Sequence, residues 1–405
     1  MISLAEAQAL VLDACRPGPV EEVDLDRALG RVLAGAVRAA EPVPPFTNTA
    51  MDGFAVHAAD VAGASAEAPA RLRVVGTLAA GGRAAGAVGR GEALRIMTGA
   101  PFPPGADAVA IVETTRSEDG VVWVDAPAVA GDHIRPAGED IAAGQEVFPA
   151  GTVLSPGHLG VLASVGADVV ATTRPPVVGV LSTGDELHEG PGQLPPGHIR
   201  DSNRRTLLGL LRRDGYPAVD LGIARDDAGE IEAALRRATA GCDAVLTSGG
   251  VSMGDFDLVK VVLDRIGVMR WLQVAIRPAK PFAFGTVDGV PVFGLPGNPV
   301  SSMVSYEVLA RPGLRRLAGH RADDLHRVPL LAVVAERPLR PAGDGRTSFA
   351  RVVAGPDAEG RLVAHPATGQ ASHQLHAMAL ANGLAVVEPG PVLEPGSHVP
   401  VLLLR

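Results

Sequence analysis

Cysteine is nearly missing from this chain, which carries only Cys15 and Cys242 among 405 residues. Two thiols cannot build a disulfide framework or a zinc cluster, and such scarcity fits a reducing compartment. Lysine is as scarce: of 36 Lys and Arg residues, only Lys260 and Lys280 are lysines. Arginine is therefore the default cation, and a compact lysine charge is expected where a planar guanidinium fork cannot serve. No dense basic run is present, and with a formal charge of −9 and a pI of about 5.7 the chain is not built around nucleic acid. The first residues lack a basic n-region, and Glu6 and Asp13 interrupt their apolar positions. Neither a signal peptide nor a membrane span is expected, and a cytoplasmic setting is.

Several catalytic signatures are absent as well. The Walker pattern fails because Asp255, not Lys, follows Gly254. No G-x-G-x-x-G occurs at that loop, no G-x-S-x-G elbow is visible, and none of the 11 histidines forms H-E-x-x-H. Serine hydrolase and zinc chemistry lose support accordingly. There is no fixed-period repeat and no long low-complexity segment.

What is present is apolar content of 47%, enough for two to four domains, with 49 glycines and 34 prolines marking frequent turns. Ser3-Leu4-Ala5-Glu6 is a capping box that opens a helix through Ala14, and a second helix is expected within Asp24 to Leu33. The proline cluster at Glu41 to Pro45 marks a boundary. From Phe46 to about Asp140, short β-like runs (Leu72 to Val75, Leu94 to Met97, Val109 to Val112, Val121 to Val124) predict a small β domain. A helix at Pro156 to Val165 follows. After Arg174 the chain alternates strand and helix: a strand near Val177, a helix Asn203 to Asp214, a strand Ala218 to Leu221, a helix Ala228 to Ala240. That spacing predicts a parallel sheet. Further strands are expected at Trp271 to Ile276 and at Pro281 to Leu295, the latter folded as a hairpin at Asp288-Gly289. Beyond His320, five short strands suit a small barrel or sandwich.

The centre of this order is Ala244 to Asp257, an apolar strand emptying into Gly249-Gly250, hydroxyls and carboxylates, then a helix to Ile266. Glycines let backbone approach a ligand, and helix-start N–H groups favour anions. A plain strand-to-helix turn is the alternative. Two other strands end alike, Val177 to Leu181 in Ser182-Thr183-Gly184-Asp185-Glu186, and Val290 to Leu295 in Pro296-Gly297-Asn298-Pro299. In open α/β sheets, ligands sit outside the carboxyl ends of the strands, so these exits should line one crevice. Its cations are Arg277 and Lys280; its anions are Asp185, Glu186, Asp226, Asp227, Asp255 and Asp257. The first set suits a phosphate or oxyanion. Carboxylates beside a phosphate suit Mg²⁺, although helix capping would equally employ Asp255 and Asp257.

Eight segments together resemble the molybdopterin molybdenumtransferases of molybdenum cofactor biosynthesis, which include the E domain of gephyrin. They are N-T-A-M-D-G-F-A (48–55), R-I-M-T-G-A-P (95–101), A-G-E-D-I (137–141), S-T-G-D-E-L (182–187), D-S-N-R (201–204), T-S-G-G-V-S-M-G-D (247–255), K-P-F-A-F-G (280–285) and G-L-P-G-N-P-V-S (294–301). The resemblance implies a helical linker domain (1–43 plus 141–173), an inserted β domain (44–140), a parallel-sheet α/β molybdopterin-binding domain (174–320) and a C-terminal small β-barrel (321–405). It implies insertion of molybdenum from molybdate into adenylylated molybdopterin, with Mg²⁺ and release of AMP. It also implies a homodimer with shared sites, bringing Lys280 and Arg351 together from different subunits.

By motif position, Asp52, Thr98, Asp140, Glu186, Asp226 and Asp257 match residues linked to activity. Glu186, Asp255 and Asp257 are the metal candidates. Thr183, Gly184, Asp185, Asp201, Asn203, Ser248, Gly249, Gly250, Ser252, Pro296, Gly297 and Asn298 would bind the organic substrate, and Arg277, Lys280, Ser301, Arg351 and Ser372 the molybdate. This chain departs from the common pattern at Thr47-Asn48-Thr49, where Asp-Asn-Ser is usual, at Ala279, where Gly is usual, and at Gln273 and Arg277, where Lys is frequent. The same α/β unit resembles the molybdopterin adenylyltransferases, and a pterin-binding scaffold without turnover is a third reading.

Overall fold

A computed structural model describes residues 1–250 and 258–404. Its α/β unit is a six-stranded sheet, in spatial order Ala218–Ala224, Val178–Thr183, Ala244–Ser248, Val290–Leu295, Pro281–Val287 and Gly267–Gln273. The first four strands are parallel, and the last two extend the sheet antiparallel. Side chains alternate across a strand. Val180, Leu246 and Phe293 therefore enter one core with Leu207 and Leu211, while Leu181, Val245 and Val292 enter the other with Ile231, Leu235 and Val262. Helices Asn203–Arg213, Ala228–Gly241 and Leu258–Ile266 supply those partners. Burial on both faces explains why these strands read as continuous apolar runs.

The strand after Val178–Thr183 lies to one side of it and Ala244–Ser248 to the other. The connections thus reverse between these two strands, which is the switch point where α/β sheets hold ligands.

The chain before the α/β unit differs in detail from its sequence pattern. Helix Leu4–Ala14 forms with its capping box, but Ala7, Val11 and Cys15 pack into the α/β core against Phe293 and Leu314. The second helix is one turn, Leu25–Ala28, followed by Gly30 at φ +76° and a strand at Val32–Leu33. A left-handed glycine stops a helix readily. The linker therefore contains a three-stranded sheet in which Val169–Thr173 lies between Val20–Asp24 and Val32–Leu33. The edge strand expected at Trp271 to Ile276 instead runs Gly267–Gln273.

The inserted β domain is a six-stranded sheet. In the C-terminal unit Thr347–Pro356 pairs with both Leu362–Pro366 and Gly383–Val387, closing a five-strand barrel with Leu330–Val334 and His398–Leu403. Ile276–Arg277, leaving the α/β sheet, pairs in parallel with Thr347–Ser348 of that barrel. No helix among the described residues is long and apolar enough to cross a membrane.

The docking of the first helix can be tested by adding one carbon. A Cβ on Gly313 would lie 2.7 Å from Val11 Cγ1 and 3.0 Å from Phe293 Cζ. Overpacking costs about 1–3 kcal/mol, against a helix-propensity gain of about 1 kcal/mol. Gly313→Ala should therefore lower the urea midpoint. Gly209→Ala, in open space on an exposed helix face, should raise it.

Candidate active site

The three strand exits meet closely at their glycines. Gly249 has φ +96°, and a Cβ there would sit 3.0 Å from Thr183 O; one on Gly297 would lie 3.9 Å from Gly249 Cα. The amide of Gly249 donates to Leu295 O at 3.1 Å and that of Gly184 to Ala224 O at 3.2 Å. These glycines bring the exits close, but their own N–H groups are spent inside the protein. Asn203 ties the exits together, donating through Nδ2 to Ser248 Oγ at 2.8 Å and Gly297 O at 2.6 Å. Asn298 O accepts from Ser302 N at 2.9 Å, starting the helix Pro299–Ser305 after the buried Pro296.

The acidic candidates divide. Asp185 and Asp226 hold each other, each carboxylate accepting the other's amide, at 3.3 and 3.2 Å. Glu186 is exposed, and its carboxylate lies over Gly184, where a Cβ would come within 2.4 Å of Oε2. Asp227 caps the helix Ala228–Gly241 through Glu230 N. Asp201 is enclosed, accepting from Arg204 N at 3.1 Å and Arg204 Nε at 2.9 Å. Arg204, a buried arginine that sequence reasoning passed over, is surrounded by Asp201, Asp220 and Glu189. This makes Asp201 a support for the Asn203 helix start more than a ligand. Gly250 borders Val259 at φ +71°. Ser252, Asp255 and Asp257 lie outside the described residues.

The candidate cationic end centres on the barrel strand Thr347–Pro356. Arg351 is wholly buried; Nε and Nη2 donate to Gly369 O at 2.9 and 2.6 Å, and Nη2 also to Ala371 O at 3.2 Å. Gln370 clamps its backbone from both sides. Ser372 O accepts Val300 N at 3.0 Å, which sets that loop beside the buried Ser301. Arg277 and Lys280 are exposed on the segment that pairs with the barrel. Ile276–Arg277, just before Lys280, pairs inside the chain with Thr347–Ser348 of the strand that carries Arg351. Ala279 is buried at φ +80°, where a left-handed L-residue costs about 1–2 kcal/mol. That is the physical meaning of the usual glycine. Of the two lysines, Lys260 lies 5.6 Å from the Trp271 ring centroid, a cation–π contact.

Asp52 and Thr98 form a third group in the inserted β domain, both exposed. Asp52 Oδ1 accepts from Thr98 N at 2.7 Å and Thr98 Oγ1 at 2.8 Å. Asp140 is exposed at the end of that domain, its amide bonded to Val43 O.

Three family profiles match the chain: the MoeA N-terminal region (domain I and II) over residues 2–166, a probable molybdopterin binding domain over 179–316, and the MoeA C-terminal region (domain IV) over 333–404. A molybdopterin molybdenumtransferase of Haemophilus influenzae is 36% identical over 390 residues, covering 96% of this chain and 95% of its own. This chain belongs to the molybdopterin molybdenumtransferase family. Molybdopterin molybdenumtransferase 2 of Mycobacterium tuberculosis is 37% identical over 404 residues, with 97% of each chain covered. A crystal structure of the molybdopterin biosynthesis moeA protein from Pyrococcus horikoshii superposes with a TM-score of 0.85 at 27% identity, covering 100% of both chains. Another from the same organism gives 0.83 at 31% identity, covering 100% of this chain and 99% of its own.

In this molybdenumtransferase-family chain the Asp52 carboxyl is held below its ordinary range first by the Thr98 amide and then by the Thr98 hydroxyl. A depressed carboxyl pKa contributes stability above the unfolded value and loses it as pH falls. Thr98→Ala removes only the smaller of those two bonds. The Asp52 titration, followed by carbon-detected NMR, should move part of the way up and stop short of the free-carboxyl range.

Proposed function

We propose that the chain inserts molybdenum, supplied as molybdate, into adenylylated molybdopterin and releases AMP, with Mg²⁺ assisting. The observation that carries this reading is Arg351. Burial pulls its pKa down, its contacts are carbonyls, and Nη1 is buried with no hydrogen-bond partner among the described residues. An isolated buried charge costs several kcal/mol unless compensated. Carbonyl dipoles compensate in part; a dianion beside the 369–372 loop completes the balance. Arg351 is enclosed, so it contributes its field and holds the loop, while Ser301, Ser372, Lys280 and Arg277 stand nearer the anion.

The organic substrate occupies the switch point, approaching over the exposed Gly297 and Asn298. Asn203 keeps that opening fixed. A helix terminus gives an anion about 0.3–1 kcal/mol, whereas micromolar affinity needs about 8 kcal/mol. Charge-assisted bonds at about 1.5–3 kcal/mol each must supply the remainder.

Mg²⁺ takes one or two carboxylates together with phosphate oxygens and waters. Among the described residues no three Asp, Glu, His or Cys side chains cluster to hold a metal, so exposed Glu186 is the proposed ligand, with Asp255 and Asp257 as its proposed partners. When bound, the ion neutralises phosphate oxygens as the anhydride is cleaved. The carboxylates of this chain hold it; the cations, at the barrel end, hold the molybdate.

Purified protein given adenylylated molybdopterin should release AMP only when molybdate and Mg²⁺ are both present, and chelation should stop it. ATP-dependent adenylylation of plain molybdopterin without molybdate would instead mark an adenylyltransferase. Pterin binding with neither activity would mark a scaffold.

The proposal includes a homodimer in which the inserted β domain of one subunit completes the site of its partner. In support, Asp52 and Thr98 are exposed and bond each other within the inserted β domain, open to a partner subunit, whereas Ile276–Arg277 pairs inside the chain with the strand that carries Arg351. Mixing inactive Asp52→Ala and Lys280→Ala subunits under exchange should then restore about a quarter of wild-type activity, since half the dimers are mixed and each has one intact site. No recovery, with exchange confirmed by native mass spectrometry, would place both residues in one subunit's site.

A further inference from the structure

Beside the Arg351 end lies an open groove of about 680 Å³ between the Ile276–Arg277 segment and the barrel. It is lined by Arg277, Arg337 and Arg340, and the described residues of its wall include no Asp or Glu. The hydrogen bonds that position two of these arginines go to carbonyls: Arg277 Nη1 to Ala342 O at 3.2 Å and Arg337 Nη2 to Pro366 O at 2.5 Å. Of the neighbouring acids, Asp344 is gripped by Arg346 at two points, 2.9 and 2.5 Å, and Glu336 faces His365 at 3.5 Å. Asp344 also lies in the field of Arg277, so it is Arg337 and Arg340 that keep the groove positive. Prolines such as Pro278 and Pro338 wall it, rigid residues that offer no N–H donor, so recognition falls to the guanidinium groups. At its inner end Gln370, which lines the groove, bonds Arg351 N at 3.0 Å and Arg351 O at 2.9 Å.

Like charges converging between low-dielectric walls focus a field, and steering of this kind raises association rates by about 10–1000-fold, falling steeply with salt. A groove far wider than a tetrahedral oxyanion cannot cage one. It can collect one and pass it on. We propose that this groove is an outer capture site for the molybdate dianion, with Arg337 and Arg340 as its recognition residues, feeding the inner end at Ser301, Arg351 and Ser372. The proposal rests on the reading of molybdate as substrate.

The test compares wild type with Arg337→Gln/Arg340→Gln and with Arg340→Lys. Molybdate binding is measured by equilibrium dialysis with elemental mass spectrometry, at low salt and above physiological salt, alongside steady-state AMP release. The double variant should raise the molybdate KM about tenfold, leave kcat within about twofold, and lose most of the salt dependence; Arg340→Lys should recover most of the effect. An unchanged KM with the wild-type salt slope would overturn the proposal, as would a fall in kcat at constant KM. Should wild type release no AMP at all, the proposed function fails and dialysis decides the groove: weaker, salt-insensitive binding in the double variant supports it, and equal binding refutes it. If the double variant does not fold, Arg340→Gln alone, at an exposed position, carries the same comparison.

Discussion

A guanidinium enclosed without a carboxylate organises the barrel side of this protein. Arg351 cannot leave its place on the strand Thr347–Pro356, and among the described residues its guanidinium is met by carbonyls of the 369–371 loop. The loop must therefore fold over the strand. Once it does, Ser372 meets the helix Pro299–Ser305 through Val300. The same strand accepts Ile276–Arg277 at its edge, so the barrel grips the α/β unit from two sides. One uncompensated charge thus links strand, loop and helix and leaves a positive field where they meet.

On the α/β side the governing constraint is space. The exits of three strands approach so closely that Gly249 has a Thr183 carbonyl where a side chain would begin. Asn203 then locks the opening with two donors from a single amide. Supporting that amide, the buried Arg204 gathers three acids, Asp201 enclosed with it and Asp220 and Glu189 nearer the surface.

Helix, strand and barrel positions were largely legible in the sequence, because alternation and apolar runs are local properties of the chain. Val180 and Leu181 could be assigned to opposite faces from period alone. The one-turn helix at Leu25–Ala28 was less legible, since Gly30 and the pairing with Val169–Thr173 override an adequate helical pattern. Motif order was enough to name the family, to nominate Asp52, Thr98 and Asn203, and to flag Ala279 as unusual.

Tertiary structure decided what each nominated group is free to do. Asp201 and Asp185 look alike in sequence, yet one is consumed by a buried arginine and the other shares amides with Asp226. Arg351 reads as another arginine until folding removes its water and, among the described residues, gives it carbonyls in place of a carboxylate. Arg337 and Arg340 carried no signal at all, because a groove lined by residues from separate segments exists only after the barrel closes against Arg277. The sequence determined residue type and local period. Burial, partnership and shared field depend on neighbours brought from far along the chain, and only the fold supplies them.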